Sequence, residues 1–254
     1  MKVKFLGTGT SHGIPVIGCG CPVCMSDNPK NKRFRASVHA RQKETDIVID
    51  MPAEYRLRAL EYGIDKVDGV LLTHAHADHT AGLDEIRRYN ELSGMAMKLY
   101  TSREVFRDIQ KRFYYMFEDT QAGGGKPRVD FVNVSPYVPF KIKETEILPL
   151  AVKHGCLDIL SFRIGGFVYM TDVSQIPDKT FEYLDNVKVL VLDALRYKKH
   201  PTHFNLDRAI DAAVKIGAKK TYFTHMAHAL EHEETEKKLP PQIRLAYDGM
   251  EVDV

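Results

Sequence analysis

The strongest constraint in this sequence is a short run dense in metal-binding side chains, Thr73-His74-Ala75-His76-Ala77-Asp78-His79. It places three imidazoles and one carboxylate within six residues, which is unusual for an ordinary surface loop. The largely apolar residues 68–73 predict a short buried strand that ends at the motif. Strand ends on a rigid scaffold commonly carry functional side chains. Because neutral imidazole and carboxylate suit zinc, manganese and iron, we predict a metal site rather than a polar loop.

A histidine or an aspartate also stands at the end of three later apolar runs. These positions are His154, Asp172 and His225, which follow residues 148–153, 167–171 and 220–224. A site with two metals needs ligands beyond the first motif, so polar residues at strand ends are the candidates. One such residue alone is more often structural.

Three cysteines form a second candidate metal site in Cys19-Gly20-Cys21-Pro22-Val23-Cys24. Cys21 and Cys24 have the Cys-x-x-Cys spacing that chelates one ion, and Cys19 adds a third sulfur. Tetrahedral zinc needs a fourth ligand, and His228 is the best candidate because it lies three residues beyond His225. A closed site of three cysteines and one histidine would be structural, since it leaves no position for substrate. The alternative is a group of free or redox-active thiols.

Composition favours one soluble domain. The 254 residues are 44% hydrophobic and 28% charged, which suits a single α/β domain over residues 1–254. A net charge of +2 gives no strong signature of nucleic-acid binding, and no apolar run reaches membrane-span length. Residues 1–7 resemble a strand more than a signal peptide, so we expect a cytoplasmic protein with reduced cysteines. The basic residues 31–37 are expected to form a solvated edge or to contact a phosphate.

The sequence predicts a group of strands followed by helices, and this pattern occurs twice along the chain. Ser102 is expected to cap a long helix that ends near Glu118. Its aromatic stripe is interpreted as core or as a subunit contact, the latter compatible with a homodimer. Residues 123–127, which include Gly123, Gly124 and Gly125, are the most flexible stretch and form a lid or a linker.

The His-x-His-x-Asp-His spacing resembles the metal motif of the metallo-β-lactamase superfamily. That resemblance implies a four-layer αββα sandwich, in the α/β or α+β class, and usually a hydrolase. The superfamily also has a histidine, a bridging aspartate and a final histidine in the order found here, so the three strand-end residues are expected to be ligands. The resemblance assigns metal one to His74, His76 and His154, metal two to Asp78, His79 and His225, and the bridge to Asp172.

Further motifs resemble one branch of this superfamily, typified by the phosphodiesterase of the carbon–phosphorus lyase pathway, which opens cyclic ribose phosphates. The motifs are Leu6-Gly7-Thr8-Gly9-Thr10-Ser11, the cysteine run, Asp50-Met51-Pro52, Asp193, His200-Pro201-Thr202-His203 and Thr224-His225-x-x-His228. The resemblance extends from Met1 to Met250. It implies a structural zinc, a reactive pair of zinc or manganese ions, and a small anionic phosphodiester substrate, either open-chain or cyclic.

The chemistry of such a site follows from its groups. Two ions about 3.5–4 Å apart can share a hydroxide and clamp the oxygens of an in-line displacement. Asp78 can orient that hydroxide. A histidine with a pKa near neutrality can protonate the leaving alkoxide. The resemblance places this general acid at His203, with His200 as the alternative.

Two other functions stay open. A transfer-RNA 3′-processing nuclease would use the same metal pair, but such enzymes carry a basic protruding arm, and this sequence has no long basic insertion. We therefore expect no nucleic-acid partner. The second alternative is a non-catalytic metal-binding accessory protein of cofactor biosynthesis. Turnover of a phosphodiester by the purified protein separates the enzyme from the accessory protein.

Overall fold

The structure is a computed structural model that describes residues 1–119 and 125–254. Its strands are β1 (Lys2–Gly7), β2 (Ser37–Gln42), β3 (Thr45–Ile49), β4 (Gly69–Leu71), β5 (Met97–Thr101), β6 (Val129–Asn133), β7 (Phe140–Ile142), β8 (Thr145–His154), β9 (Leu157–Ile164), β10 (Phe167–Met170), β11 (Val189–Asp193), β12 (Lys220–Thr224), β13 (Ile243–Leu245) and β14 (Glu251–Asp253).

The helices of the described residues vary from one turn to three. They are α1 (Pro22–Met25), α2 (Tyr55–Tyr62), α3 (Ala77–Thr80), α4 (Ile86–Ser93), α5 (Arg103–Arg112), α6 (Tyr114–Phe117), α7 (Asp178–Phe181), α8 (Leu206–Ile216) and α9 (His232–Glu236). Two 3₁₀ turns lie at Pro29–Asn31 and Leu83–Glu85. Within the described ranges, no helix combines the length and the apolar character that a membrane crossing requires.

The strands form two seven-stranded sheets with the same pattern of directions. In the first sheet, strands β14, β1, β2 and β3 pair antiparallel, and strands β3 to β6 pair parallel. In the second sheet, strands β7 to β10 pair antiparallel, and strands β10 to β13 pair parallel. Each half therefore switches to parallel pairing once, at β3 and at β10. Ligand sites of α/β sheets lie at the carboxyl ends of such strands.

Alternating burial builds four layers. Ile47 and Ile49 of β3 join a cluster that also contains Phe162 and Tyr169 of the second sheet, so this cluster lies between the sheets. Val48, between the two isoleucines, points the other way into a cluster under α2, α4 and α5. A third cluster packs α8 against the outer face of the second sheet. The order helix, sheet, sheet, helix confirms the predicted αββα sandwich.

The helix predicted from Ser102 to Glu118 is correct at its start and wrong at its end. The Ser102 hydroxyl accepts a hydrogen bond from the Val105 amide at 3.3 Å, as an N-cap should. The helix then ends at Phe113, whose φ of −111° and ψ of 40° are not helical, and the separate helix α6 begins at Tyr114. Its aromatic stripe packs mainly on the outer cluster of the first sheet. Gly123 and Gly124, assigned to a lid or a linker, lie outside the described residues.

Candidate metal centre

The first predicted ligand group comes together from β4 and β8. His74 and His76 follow β4. His154 is the last residue of β8, whereas the sequence predicted that it would directly follow the strand. Nε2 of His74 lies 2.9 Å from Nδ1 of His76. One ligand atom from each of the three residues falls within 4.8 Å of the others. These imidazoles can therefore converge on one ion.

The second predicted group lies beside the first. Asp78 and His79 belong to the short helix α3, and His225 follows β12. Oδ2 of Asp78 is 3.5 Å from Nε2 of His79 and 3.6 Å from Nε2 of His225. One ligand atom from each of these three side chains lies within 4.8 Å of the other two. A carboxylate and two imidazoles suit a second divalent ion.

Asp172 lies between the two groups. Its Oδ1 is 3.3 Å from Nε2 of His225 and 4.0 Å from Nε2 of His154. Its Oδ2 is 3.2 Å from Nε2 of His79. Because one carboxylate reaches histidines of both groups, the position fits a bridging ligand. The side chain is 2% exposed, so water alone does not solvate this charge.

Several buried nitrogen atoms of the site have no hydrogen-bond partner among the described residues. They include Nε2 of His79 and both ring nitrogens of His225. Buried polar groups without partners are uncommon in native proteins and require an explanation. Metal coordination supplies one, because Nε2 of each histidine points towards Asp172. The donor set therefore fits two divalent ions.

The charges of the site are strongly coupled. Burial alone would raise the pKa of Asp172, but the imidazoles of His225 and His79 hold it well below its usual value. Burial alone would lower the pKa of His225, yet Asp172, Asp78 and Asp193 raise it to about 9. A metal ion that binds here competes with a proton on His225, so metal affinity increases as the pH rises.

Hydrogen bonds to residues around the centre determine which ring nitrogen of His79 and His154 faces the metal site. Nδ1 of His79 donates to Oδ2 of Asp50 at 2.7 Å, and Asp50 is itself held by the amide of Thr73 at 2.9 Å. Nδ1 of His154 donates to the carbonyl of Thr202 at 2.8 Å. In both histidines Nε2 is left free for a metal. Such partners fix the tautomer and the orientation of ligating histidines.

Three residues at the centre have left-handed backbone conformations without being glycine. Asp50, Asp172 and His225 have φ values of 61°, 58° and 59°. Such conformations are uncommon outside glycine, and they cluster at functional sites. Each of the three residues directly follows, or lies close to, the end of a strand, where this turn directs its side chain into the site.

The cysteine group closes around His228 as the sequence predicts. Nδ1 of His228 lies 3.4, 3.6 and 3.4 Å from the sulfurs of Cys19, Cys21 and Cys24. A tetrahedral zinc with usual bond lengths would separate sulfur and nitrogen ligands by about 3.6 Å. The four ligand atoms also lie within 4.8 Å of one another. The geometry therefore fits a closed zinc site.

Arg33 links the segment that follows the cysteines to the segment around His228. Its guanidinium donates to the carbonyls of Ala227 at 3.1 Å and Leu230 at 2.7 Å, on either side of His228. It also donates to Oδ1 of Asn31. The side chain is 1% exposed, so the prediction of a solvated or phosphate-binding edge is wrong for this residue. The carbonyls of Ala227 and Leu230 are almost 200 residues away in the sequence, so no local pattern predicts these two contacts.

Replacing Cys21 with serine is expected to remove one zinc ion per chain and to lower the melting temperature by roughly 10 °C. Loss of the ion costs folding energy, and for a chain of this size each kcal/mol corresponds to about 2–4 °C. Metal analysis and thermal unfolding measure both effects. Cys156→Ser is the matched control, since Cys156 is exposed and outside the cysteine group. Unchanged zinc content and melting temperature in Cys21→Ser would contradict the assignment.

His203 lies at the edge of the reactive centre. Its Nδ1 is 2.9 Å from Oδ2 of Asp193, and its Nε2 faces Oδ1 of Asp172 at 3.9 Å. His200 lies farther out, with its ring centroid 5.1 Å from that of His203. Nδ1 of His200 is occupied by the hydroxyl of Thr202 at 3.2 Å. Of the two candidates for the general acid, His203 is therefore the one directed at the centre.

Comparison with known proteins places this geometry in a family. A profile described as "Beta-lactamase superfamily domain" matches residues 45–226, more than half of the chain. The chain belongs to the metallo-β-lactamase superfamily. A solved structure described as a new diphosphatase from the PhnP family is 38% identical, with a TM-score of 0.93 over 99% of this chain and 96% of that chain. The predicted resemblance is thereby confirmed, and the superfamily membership supports a metal-dependent hydrolase that uses divalent ions such as zinc.

Other proteins similar to this chain carry different names. An octanoyltransferase of Porphyromonas gingivalis is 37% identical over 99% of this chain and 51% of its own length, so the chain spans about half of that relative. Zn²⁺-bound PqqB from Methylobacterium extorquens is 16% identical over the whole of both chains, with a TM-score of 0.81. Human tRNase Z, short form, is 15% identical over 100% of this chain and 99% of its own, with a TM-score of 0.71. At such identities the last two show the fold alone.

Proposed function

We propose that this protein is a metal-dependent phosphodiesterase that hydrolyses small phosphodiesters, either open-chain or cyclic. The observation that carries the proposal is the position of His203 relative to two ligand groups that share Asp172. Nε2 of His203 is 3.9 Å from Oδ1 of Asp172, so a proton on this nitrogen lies at the border of the candidate metal centre. Hydrolysis of an alkyl phosphodiester requires a Lewis acid that activates the phosphoryl group and a proton donor for the leaving alkoxide.

The ligand groups supply the first requirement. Two divalent ions held there would act as Lewis acids on the phosphoryl oxygens and would provide a water with a lowered pKa. The carboxylate of Asp78, which is partly exposed, accepts a hydrogen bond from the attacking water and thereby orients it. The remaining metal ligands are buried, with the exception of His76. The open side of the site is therefore at His76 and Asp78, where substrate enters.

His203 and Asp193 supply the second requirement. Nε2 of His203 donates a proton to the leaving oxygen, and Nδ1 stays bound to Oδ2 of Asp193 throughout. Asp193 is fully buried, and its Oδ2 also accepts a hydrogen bond from the Val173 amide at 2.9 Å. That second contact fixes the carboxylate, so the imidazole of His203 cannot rotate away from the centre. Asp193 is thus a positioning residue for the acid.

A diphosphate linkage is a second candidate substrate for the same site. The relative with 38% identity is described as a diphosphatase, and its chain matches this one along nearly its whole length. Cleavage of a phosphoanhydride releases a phosphate, which is a better leaving group than an alkoxide. We therefore expect His203 to matter less for diphosphates than for alkyl phosphodiesters. The octanoyltransferase name belongs to a chain of about twice the length and does not enter the proposal.

The purified protein, loaded with zinc or manganese, is expected to hydrolyse bis(p-nitrophenyl) phosphate. Removal of the metal by a chelator should abolish the turnover, and addition of either ion should restore it, because the site would lose both its Lewis acid and its source of activated water. The control for contaminating phosphodiesterases is Asp172→Ala purified in the same way. Absence of turnover with bis(p-nitrophenyl) phosphate, alkyl phosphodiesters and diphosphate diesters, in protein of full metal content, would sink the proposal and favour a non-catalytic accessory protein.

A further inference from the structure

His225 differs from the other candidate ligands in what fixes its side chain. Hydrogen bonds through Nδ1 orient the rings of His79 and His154. Among the described residues, neither ring nitrogen of His225 has a hydrogen-bond partner, and Oδ1 of Asp193 lies too far from Nδ1, at 3.9 Å. The ring stacks on those of His79 and His203, with centroids 5.8 and 4.9 Å away. Its position therefore depends on this packing and on the backbone that carries it.

The backbone of His225 is held by the segment that follows β1. His225 has a φ of 59°, which is uncommon for a residue other than glycine. The next residue, Met226, donates its amide to the carbonyl of Thr8 at 3.0 Å, and its own carbonyl accepts the amide of Thr10 at 3.2 Å. Met226 is fully buried, so water does not replace these partners. Thr8 and Thr10 therefore fix the chain directly after the ligand.

The glycine motif around Thr8 fits closely against the segment that precedes β2. A Cβ atom on Gly7 would overlap the carbonyl oxygen of Arg35, and a Cβ atom on Gly9 would lie 2.8 Å from the carbonyl oxygen of Arg33. Only glycine permits such a close approach of two backbones. Thr8, between the two glycines, is fully buried. The side chain of Thr8 is therefore the one through which another residue can hold this motif in place.

Asp248 holds the side chain of Thr8. Oδ1 of Asp248 accepts a hydrogen bond from the Thr8 hydroxyl at 2.7 Å, and Oδ2 accepts one from the amide of Phe34 at 2.6 Å. The carbonyl of Phe34 in turn accepts the amide of Gly9 at 2.7 Å. Hydrogen bonds to an ionised carboxylate are stronger than those between neutral groups. One carboxylate therefore joins the glycine motif to the segment packed against it.

We propose that Asp248 is a positioning residue for the metal ligand His225. Asp248 fixes Thr8, and the carbonyl of Thr8 fixes the amide of Met226, which belongs to the peptide unit that follows His225. Because His225 is a member of only one of the two ligand groups, loss of Asp248 should affect one reactive-site ion and spare the other. Residues that orient a ligand without touching the metal change metal affinity by about 10–100-fold. The inference rests on the metal centre that the proposed function uses, and it requires no turnover.

The test measures the Kd of each zinc ion by competition with a chelator. Asp248→Asn keeps the shape of the side chain, removes its charge and leaves one oxygen to accept hydrogen bonds. Burial of the carboxyl raises the pKa of Asp248 to about 7, so the measurements are made at pH 8, where the wild-type carboxyl is mostly ionised. In Asp248→Asn one reactive-site ion is expected to bind about 10-fold more weakly. The Kd values of the other reactive-site ion and of the cysteine-bound zinc should stay unchanged.

Thr8→Val tests the other end of the same hydrogen bond. It removes the hydroxyl that Asp248 holds, and it is expected to weaken the same ion by a similar factor. The double variant should lose little more than Asp248→Asn alone, because changes in one hydrogen bond are not additive. Thr8→Ser keeps the hydroxyl and should restore the affinity. Asp253→Asn is the matched control, since Asp253 is an exposed aspartate of the neighbouring strand β14, and its Kd values should equal those of the wild type.

Two results would overturn the inference. Unchanged Kd values of both reactive-site ions in Asp248→Asn and Thr8→Val show that the hydrogen bond does not position His225. Equal weakening of all three ions, together with a lower melting temperature, shows that Asp248 only stabilises the fold. If Asp248→Asn does not fold, the comparison of Thr8→Val with Thr8→Ser decides between the same outcomes. Since metal binding needs no turnover, failure of the phosphodiesterase proposal is detected separately, in the hydrolysis assay.

Discussion

Asp172→Ala is expected to reduce phosphodiesterase activity by about 10³-fold or more while the fold remains intact. The carboxylate of Asp172 is close to histidines of both candidate metal groups. Its removal is therefore expected to weaken the binding of both ions and to leave the distance between them less well fixed. Metal ions contribute several kcal/mol of transition-state stabilisation in such sites, and each 1.36 kcal/mol is a factor of ten in rate. The measurements are kcat, metal content and the melting temperature of the purified variant.

The matched control is Asp158→Ala. Asp158 is an aspartate on the neighbouring strand β9, is 73% exposed and pairs with Lys153 at the surface, where a salt bridge contributes little. This variant should keep wild-type activity and metal content. If Asp172→Ala itself retained wild-type turnover with two ions in the reactive site, Asp172 would not be a bridging ligand. Loss of activity together with a large fall in melting temperature would instead indicate a structural role.

His203→Ala is expected to lose 10²–10⁴-fold in kcat with both metals still bound, the usual contribution of one general acid. The loss should depend on the leaving group. An alkyl or cyclic phosphodiester leaves as an alkoxide and needs the proton, so it should suffer most. A p-nitrophenyl ester leaves as a stable phenolate and should suffer least. Rates of wild type and variant on both substrates, at saturating metal, give this difference directly.

His200→Ala is the comparison that identifies the acid. His200 is partly exposed, and its Nδ1 is engaged by Thr202, so its removal should have a milder effect with no dependence on the leaving group. The reverse pattern, with the leaving-group effect in His200→Ala and not in His203→Ala, would exchange the two roles. If neither variant shows the effect, the proton comes from elsewhere, and these histidines only position the phosphate.

The two halves of the sandwich explain why the site residues occur where they do in the sequence. Each sheet changes from antiparallel to parallel pairing at one strand, β3 or β10, and Asp50 and Asp172 lie just beyond the ends of those two strands. Both have a φ near 60°. One supports a ligand and the other is the candidate bridge. The centre is thus assembled at the junction of two similar halves, and its ligands extend along the chain from His74 to His225.

Local sequence pattern was sufficient for the buried strands and for the types of the ligands, whereas the four layers came from the resemblance to a known family. An apolar run followed by histidine or aspartate marks a buried strand and its end, and both features are local. His74, His154, Asp172 and His225 were therefore identifiable as candidates, and the resemblance to a known family ordered them. The cysteine spacing worked for the same reason, because two sulfurs three residues apart can chelate without any distant contact.

Only the tertiary structure decided which side chains support, orient and surround those ligands. Asp193 holds His203, and Arg33 connects to the carbonyls on either side of His228. Each contact joins residues that are distant in sequence or that face each other only after the layers have packed. Periodicity reports whether a residue is buried, and it carries no information about its partner across the fold. Arg33 was for that reason assigned to the surface, and its burial followed from acceptors contributed almost 200 residues later.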